Sequence, residues 1–428
     1  MAEETFFFYV EKPVRFRPPP TSSRLEKETF FAINIGSKNT YLAVLDPGSD
    51  TPKLINKFPT EVIITNQVDK QDIDPRDHFS GFFRLFGRKF DDPIVQKEKE
   101  KALYKIIKGP KGDAWVETSY GKQCSISELL EKFLLKMQRA STSYLAGTIV
   151  DKFSITFPCR ILKSEMDEIQ NIALESQRRG FKGGLYFLFL HEFCGAAFSY
   201  GIDKRKGLFA IVDLGARTLD FTIYISPVGN PKRYDFSGLD ELGRKYLMKN
   251  GMYTTKGIPQ IDMYLGGDDF DNAIIKYLVS EFKSMEGIDL VEDTRLRKVA
   301  EEAKIALSSS LETEINVPNI TIDSAGGSKD LKIILTREKF ESLVSHLADR
   351  ITKFCEKGLK KAGITAKDVT DLVLVGGMAN VPLVKRVLTE VFGKSPMGGV
   401  VHEEAVALGA TKADTEGCVG CQFMFDTQ

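Results

Sequence analysis

The sequence predicts an α/β protein built as two similar lobes, and three observations carry the prediction. Strand-like and helix-like segments alternate from Thr29 onward. Two glycine-broken hairpins of matching pattern stand in different parts of the chain, FFAINIGSKNTYLAVLD near its start and KGLFAIVDLGARTLDFTIYISP further on. The 428 residues also exceed what one hydrophobic core commonly serves. In each hairpin an apolar run reaches an Asn or Asp, a glycine follows two residues later, and a second apolar run resumes. Asn34 with Gly36 thus corresponds to Asp213 with Gly215. A duplicated fold of this kind presents its two turns to each other across a cleft.

Taken in chain order, residues 1–28 read as an N-terminal extension: an aromatic patch, then PVRFRPPPTSS, whose prolines favour extended polyproline backbone. Such an arm is solvated, or serves as a docking segment. Lobe I is expected over 29–212, lobe II over 213–412, and a short tail over 413–428. SISELLEKFLLKMQRASTSYL predicts a helix with Leu129, Leu130, Phe133, Leu134 and Met137 on one face, capped by Ser125 with Glu128 three residues on. YLGGDDFDNAIIKYLVSEF runs from a double glycine into a helix that repeats Phe270, Ile274, Leu278 and Phe282 at helical spacing. DTRLRKVAEEAKIALSSS turns Leu296, Val299, Ala300, Ala303 and Leu307 inward, leaving Glu301, Lys304, Ile305 and Ser308 on an adjacent stripe. DLVLVGGMANVPLVKRVLTEVFG predicts a buried strand, the Gly376-Gly377 junction, and a helix starting near Pro382, a residue suited to a first turn.

Composition narrows the function classes. Lysine plus arginine and aspartate plus glutamate both number 59, so bulk charge supports neither a nucleic-acid nor a membrane-surface partner. The N-terminus carries glutamates where a signal peptide is basic, and Phe6 to Val10 is too short for its apolar core. No stretch reaches the length of a membrane span. The six cysteines are scattered, which suits a reducing compartment, and cytoplasm is the expectation. Cys418 and Cys421 form one C-x-x-C without a second pair or histidine partners, so free thiols on a tail are favoured over a metal or redox site.

The turns carry the chemistry. A tight turn between strands points several backbone N–H groups into one concavity, and glycine lets a phosphate approach because no Cβ intervenes. Two opposed turns suit a polyphosphate. Asp213 and Asp220 beside the second turn suit Mg²⁺ held through water, since that ion keeps most of its hydration shell. Gly376-Gly377 offers bare backbone to a flat adenosine.

The order of the two hairpins, LGGDDFDN, AEEAKIALSSS and LVLVGGMANVP resembles the nucleotide-binding domain of the heat-shock 70 kDa chaperone family, within the actin-like ATPases. The similarity runs from about Thr29 to Ala413 and includes FRLFGRKFDDPIVQ, FPCRIL and HEFCGAAFSYGIDK. It implies an actin-like ATPase fold with ATP or ADP and Mg²⁺ in the cleft, and protein partners or co-chaperones outside it. By that resemblance Glu192, Asp213, Thr218 and Asp220 match positions that place water, Mg²⁺ and the γ-phosphate. Two catalytic positions depart from the pattern: Asn34 stands for a carboxylate that feeds the metal's hydration shell, and Phe83 for a phosphate-contacting lysine. Around Gly36 the turn reads Ser37, Lys38, Asn39 in place of a hydroxyl-rich sequence, and the second turn reads Gly215-Ala216-Arg217 in place of three glycines. Gly267 falls in the matching double-glycine element. On the adenosine side Glu301, Lys304 and Ser308 match base and ribose contacts, while Ile305 replaces a stacking arginine. Gly376 and Gly377 remain, with Met378 and Asn380 for a serine and an arginine and Glu403 for an aspartate.

Losing a cation that meets developing phosphoryl charge costs on the order of 10²-fold in rate. Losing a stacking arginine costs about 0.5–2 kcal/mol of base binding, which is a roughly two- to thirtyfold change in affinity. Binding therefore survives more easily than turnover. Lys38 and Arg217 add cations at the turn tips, with Arg217 facing phosphate, pointing away to pair with a surface carboxylate, or filling the cleft itself and excluding ligand. The sequence shows no interdomain linker and no peptide-gripping β-sandwich after Gly409, so any folding role is expected to run through partners. The leading expectation is an ATP-binding chaperone-family protein with weak or no hydrolysis. The alternative is a pseudo-ATPase scaffold that binds no nucleotide. A small-molecule kinase is disfavoured because no sugar-binding constellation is legible.

Overall fold

The structure, a computed structural model, describes residues 29–65, 74–146, 152–158, 165, 168–169, 171–172, 186–226, 254–255, 259–290, 294–324 and 326–413. The N-terminal arm, Cys159, Cys418 and Cys421 lie outside these residues. Cys124, Cys194 and Cys355 are buried free thiols.

Two mixed sheets dominate. The first is built from β1 (Phe30–Ile35), β2 (Asn39–Leu45), β3 (Lys53–Pro59), β4 (Lys152–Phe157) and β5 (Tyr186–His191), in the order β5-β4-β1-β2-β3. The second contains β6 (Leu208–Leu214), β7 (Leu219–Ile225), β8 (Thr254–Thr255), β9 (Gln260–Asp262) and β10 (Asp371–Val375), in the order β8-β7-β6-β10 with β9 also on β7. The duplication expected from the hairpins extends to residue register. β1 and β2 are antiparallel with Asn34 opposite Tyr41, and β6 and β7 are antiparallel with Asp213 opposite Asp220. Each leading strand also gains a parallel neighbour, which sets Asn34 beside Thr156 and Asp213 beside Val375. Parallel strands buried on both faces read as near-continuous apolar runs, which is why FFAINI and LFAIVDL lack clean alternation. The lobe boundary expected after residue 212 falls inside β6, which belongs wholly to the second sheet.

Helices cover both sheets. α1 (Pro93–Lys101) and α2 (Ile126–Tyr144) belong to the first half, and the Ser125 hydroxyl accepts the Glu128 amide as a cap. α3 (Glu192–Tyr200) follows β5 directly. α4 (Gly267–Glu286) buries Phe270, Ile274, Leu278 and Phe282, and α5 (Thr294–Ala306) buries Leu296, Ala300 and Ala303, all in the core of the second half. A long hairpin, Glu312–Ile322 with Ser328–Thr336, packs on α5 and is followed by α6 (Arg337–Leu343) and α7 (Ser345–Lys361). α8 (Pro382–Phe392) starts at the expected proline.

One joint couples the halves. α3 and α9 (Ala405–Ala410) pack side by side between the sheets. Cys194, Phe198 and Ala410 face Ala32 of the first sheet, while Ala196, Ala197, Ala405 and Val406 face Phe209, Ile211 and Val373 of the second. The two helices meet through glycine. A Cβ on Gly409 would lie 1.8 Å from the Gly195 carbonyl oxygen, so no side chain fits at this crossing. Among the described residues no helix is long and apolar enough to cross a membrane.

Candidate functional site

The two turns close in the same way. The Gly36 amide donates to the Asn39 carbonyl at 3.1 Å, and the Gly215 amide to the Thr218 carbonyl at 3.0 Å. A Cβ on Gly36 would sit 2.6 Å from Asn39 O, so the first turn requires glycine. Ser37 and Lys38 form its half-exposed tip. The second turn, Gly215-Ala216-Arg217, is seated on the start of α4: the Gly267 amide donates to Gly215 O at 3.0 Å and the Asp268 amide to Ala216 O at 2.8 Å. Two otherwise unpaired N–H groups of the helix terminus are thereby satisfied.

Between the turns lies a cluster of carboxylates. Asn34, buried at the end of β1, donates from Nδ2 to Thr156 Oγ1 at 2.8 Å and to Glu192 Oε1 at 3.0 Å. Glu192 starts α3, and Asp213 and Asp220 face one another across β6 and β7. Burial raises the Glu192 carboxyl well above its ordinary range and the charges of Asp213 and Asp220 raise it further, while the Asn34 hydrogen bond pulls the other way. Burial pushes Asp213 up to about 6. Gly376, at φ +88°, closes the floor: a Cβ there would lie 2.6 Å from Asp213 Oδ1 and 2.4 Å from Leu214 O. Three acids and one amide gathered in a buried spot form an all-oxygen donor set of the kind that a hydrated Mg²⁺ accepts, and the cation would relieve their mutual repulsion. Among the described residues no group of three or more His, Cys, Asp or Glu side chains is arranged to hold an ion directly, so the fit is to an ion held through its water.

A sequence model of the family described as "Hsp70 protein" matches residues 33–230 and 247–414. The chain belongs to the Hsp70 family. It is 38% identical over 412 residues to "Heat shock 70 kDa protein, mitochondrial" of Solanum tuberosum, covering 91% of this chain and 55% of that protein. It is 37% identical over 414 residues to the protein of the same name from Pisum sativum, covering 91% and 56%. The chain thus spans about half the length of the curated relatives it matches. The two-lobed architecture is the actin-like fold of an Hsp70 ATPase domain, a domain that generally binds ATP or ADP with Mg²⁺.

Against that Hsp70 background the substituted positions find their own partners. Phe83, in a short 3₁₀ turn, stacks on Phe86 with ring centroids 5.6 Å apart and on Phe157 at 6.2 Å, joining the core of the first half. Its side chain brings no charge to this position. Arg217 does not reach into open cleft: its Nη1 pairs with Glu98 Oε2 and its Nε with Asp268 Oδ2, both at 2.9 Å. The sequence left three readings open for Arg217; the structure pairs it with carboxylates, one of them the buried Glu98 and not a surface group. Lys38 crosses to Glu301 Oε2 at 2.5 Å.

The residues that the resemblance assigns to adenosine show the same pattern. Lys304, placed by its spacing on the stripe adjacent to the inward face of α5, is buried against Asp271 Oδ1 at 2.8 Å and donates to Gly267 O at 3.2 Å. The Ser308 hydroxyl bonds back to Lys304 O, one turn earlier. Ile305 is 61% exposed, an apolar face where a base would need a flat partner. Met378 is buried with its sulfur beside Gly267, and Asn380 bonds to Gly377 O at 3.4 Å. Gly377 is exposed, and a Cβ there would meet nothing within 4 Å, so its backbone stands open. Glu403 lies apart from Glu301 and Lys304 in its bonding, held by Tyr41 Oη at 2.7 Å and Lys57 Nζ at 2.8 Å from β2 and β3.

Sequence reasoning missed Glu98, Asp268, Asp271 and Tyr41. Asp268 had a signal, an acid in the first turn of a helix that follows a double glycine. Glu98 had none, because its partner Arg217 lies 119 residues away.

Proposed function

We propose that this chain is an ATP-binding protein of the Hsp70 family that hydrolyses nucleotide slowly and assists protein folding or assembly through protein partners such as co-chaperones. One observation carries the reading: Asn34 of the first hairpin and Asp213 of the second converge on Glu192 within a single cleft.

The residues support a division of labour. Backbone amides at the tips of the two glycine turns would face phosphate oxygens, and Asp213 and Asp220 would hold Mg²⁺ through water. When bound, that ion neutralises phosphate charge. Glu192, its proton affinity raised by burial and by the neighbouring Asp213 and Asp220, suits acceptance of a proton from water, and the Asn34 amide orients one of its oxygens. Nothing at Phe83 meets charge developing on the γ-phosphate, so turnover is slow. The exposed Ile305 allows an apolar contact with a base but no cation–π stack, so affinity is modest.

Thermal denaturation with ATP and Mg²⁺ tests the proposal. A melting temperature that climbs with ligand concentration into the millimolar range supports it; no shift there overturns it in favour of the second reading, a scaffold that binds no nucleotide. The occupied state of Arg217 and Lys38 favours that second reading. Cytoplasm is the compartment we propose from cysteine usage, and microscopy of the tagged chain checks it. The aromatic and proline-rich arm over residues 1–28 is the docking segment we propose for protein partners.

A further inference from the structure

The two halves of the cleft are tied together by their own side chains. Arg217 starts from the turn of the second sheet and reaches Glu98 on α1, on the side of the first sheet. The Glu98 carboxylate is shared: Oε2 takes Arg217, and Oε1 takes Arg84 Nε at 2.9 Å. Arg84 continues the chain, donating from Nη2 to Met263 O at 2.9 Å, beyond β9 of the second sheet. Lys38 runs in the opposite sense, from the turn of the first sheet to Glu301 on α5 of the second half. The seat for Arg217 is built. Gly81, at φ +66°, leaves bare backbone where the guanidinium lies, and a Cβ there would come within 2.8 Å of Nη1. Side-chain exposures of 6% for Arg84 and 10% for Glu98 shield the anion that Arg217 reaches from most screening counterions, whereas both partners of the second pair, Lys38 and Glu301, are 39% and 30% exposed.

We propose that Arg217 and Lys38 form two crossed ion-pair ties that hold the cleft closed without any ligand, and that a polyphosphate enters by competing with Glu98, Asp268 and Glu301 for these cations. The ties stand on the cleft geometry alone; the competition rests on the nucleotide reading above. The consequence is a site whose resting state is shut by internal charge. Phosphate would take over cations that are already neutralised, so opening limits its entry.

Hydrogen–deuterium exchange of the full chain without nucleotide tests the ties, read at residues 36–39 and 215–218 between 50 mM and 1 M salt. Over that range the screening length falls to about 3 Å. Wild type should exchange slowly at both turns at low salt and several-fold faster at high salt over residues 36–39, where the exposed Lys38–Glu301 pair is screened, with residues 215–218 changing less. Arg217→Ala should exchange fast throughout, equivalent to a roughly tenfold loss of the closed form. Lys38→Glu should loosen the turns, and Lys38→Glu with Glu301→Lys should restore them, since the exposed pair tolerates exchange of sign. Circular dichroism confirms that each variant is folded. Turn exchange in Arg217→Ala and Lys38→Glu equal to wild type overturns the ties, as does failure of the swapped pair to restore protection. A second measurement follows ATP binding kinetics. Arg217→Ala should speed association about tenfold; an unchanged association rate with faster release makes Arg217 a phosphate ligand only and overturns the competition. Loosened turns in a protein that binds no ATP remove the nucleotide reading and leave the ties standing.

Discussion

The Asn34 side-chain amide donates to Glu192 Oε1 at 3.0 Å, across 158 residues of sequence. A carboxylate at residue 34 would meet Glu192 as like charge; the amide meets it as a donor. Asn34→Asp should therefore place a fourth acid in a buried cluster. Without divalent cation its melting temperature should fall by about 1–2 °C, the shift expected of about 1–2 kcal/mol in a chain of this size. Added Mg²⁺ should raise that temperature more in the variant than in wild type. Differential scanning calorimetry with and without Mg²⁺ checks this, and equal Mg²⁺ responses would contradict the role given to residue 34.

Phe83 tests the reading of slow turnover. Phe83→Lys puts an ammonium where the aromatic stack now ends, and steady-state phosphate release should rise on the order of 10²-fold. The half-exposed position keeps the stability cost small enough to assay. An unchanged rate would mean that residue 83 does not face the phosphate.

The acid cluster also makes stability depend on pH. Burial raises the folded-state pKa of Asp213 to about 6, above its unfolded value. The native state then binds more protons than the unfolded one between about pH 4 and pH 6, so this group lowers stability as pH rises through that window. Glu192 works in the same direction. Asp213→Asn should match wild type near pH 4 and be the more stable protein above pH 6 when no divalent cation is present. Urea denaturation at both pH values measures the difference, and greater relative stability of the variant at pH 4 would reverse the sign argued here.

Lys304 and Asp271 form the most buried ion pair of the site, with side chains 9% and 2% exposed. Removing the cation leaves a buried carboxylate whose pKa burial already pushes up to about 6 despite Lys304. Lys304→Met should cost about 3–5 kcal/mol, read as a lower urea midpoint. Lys304→Met with Asp271→Leu should recover much of it, because a pair replaced by apolar groups leaves no orphaned charge.

Legibility followed sequence distance. The Ser125 cap, the Pro382 start and the inward faces of α2, α4 and α5 were readable because each rests on residues within a few turns of one another. The pairing of hairpins was readable because duplication leaves the same pattern twice, Asn34 with Gly36 and Asp213 with Gly215. The fates of individual cations were not. Lys304 has helical spacing that puts it on the stripe adjacent to the inward face of α5, yet Asp271 from a neighbouring helix draws it under. Glu403 falls near the double-glycine junction in sequence and bonds to Tyr41 and Lys57 of the opposite sheet.

What the sequence by itself determined is the α/β class, the two matching glycine turns, and the family resemblance that implies an actin-like ATPase fold, since each follows from local pattern and residue identity. Only the tertiary structure decided that Arg217 and Lys38 end on Glu98, Asp268 and Glu301. The physical reason is that a long, flexible cation goes to whichever anion the fold brings within about 3 Å. Local periodicity carries no record of which anion that is.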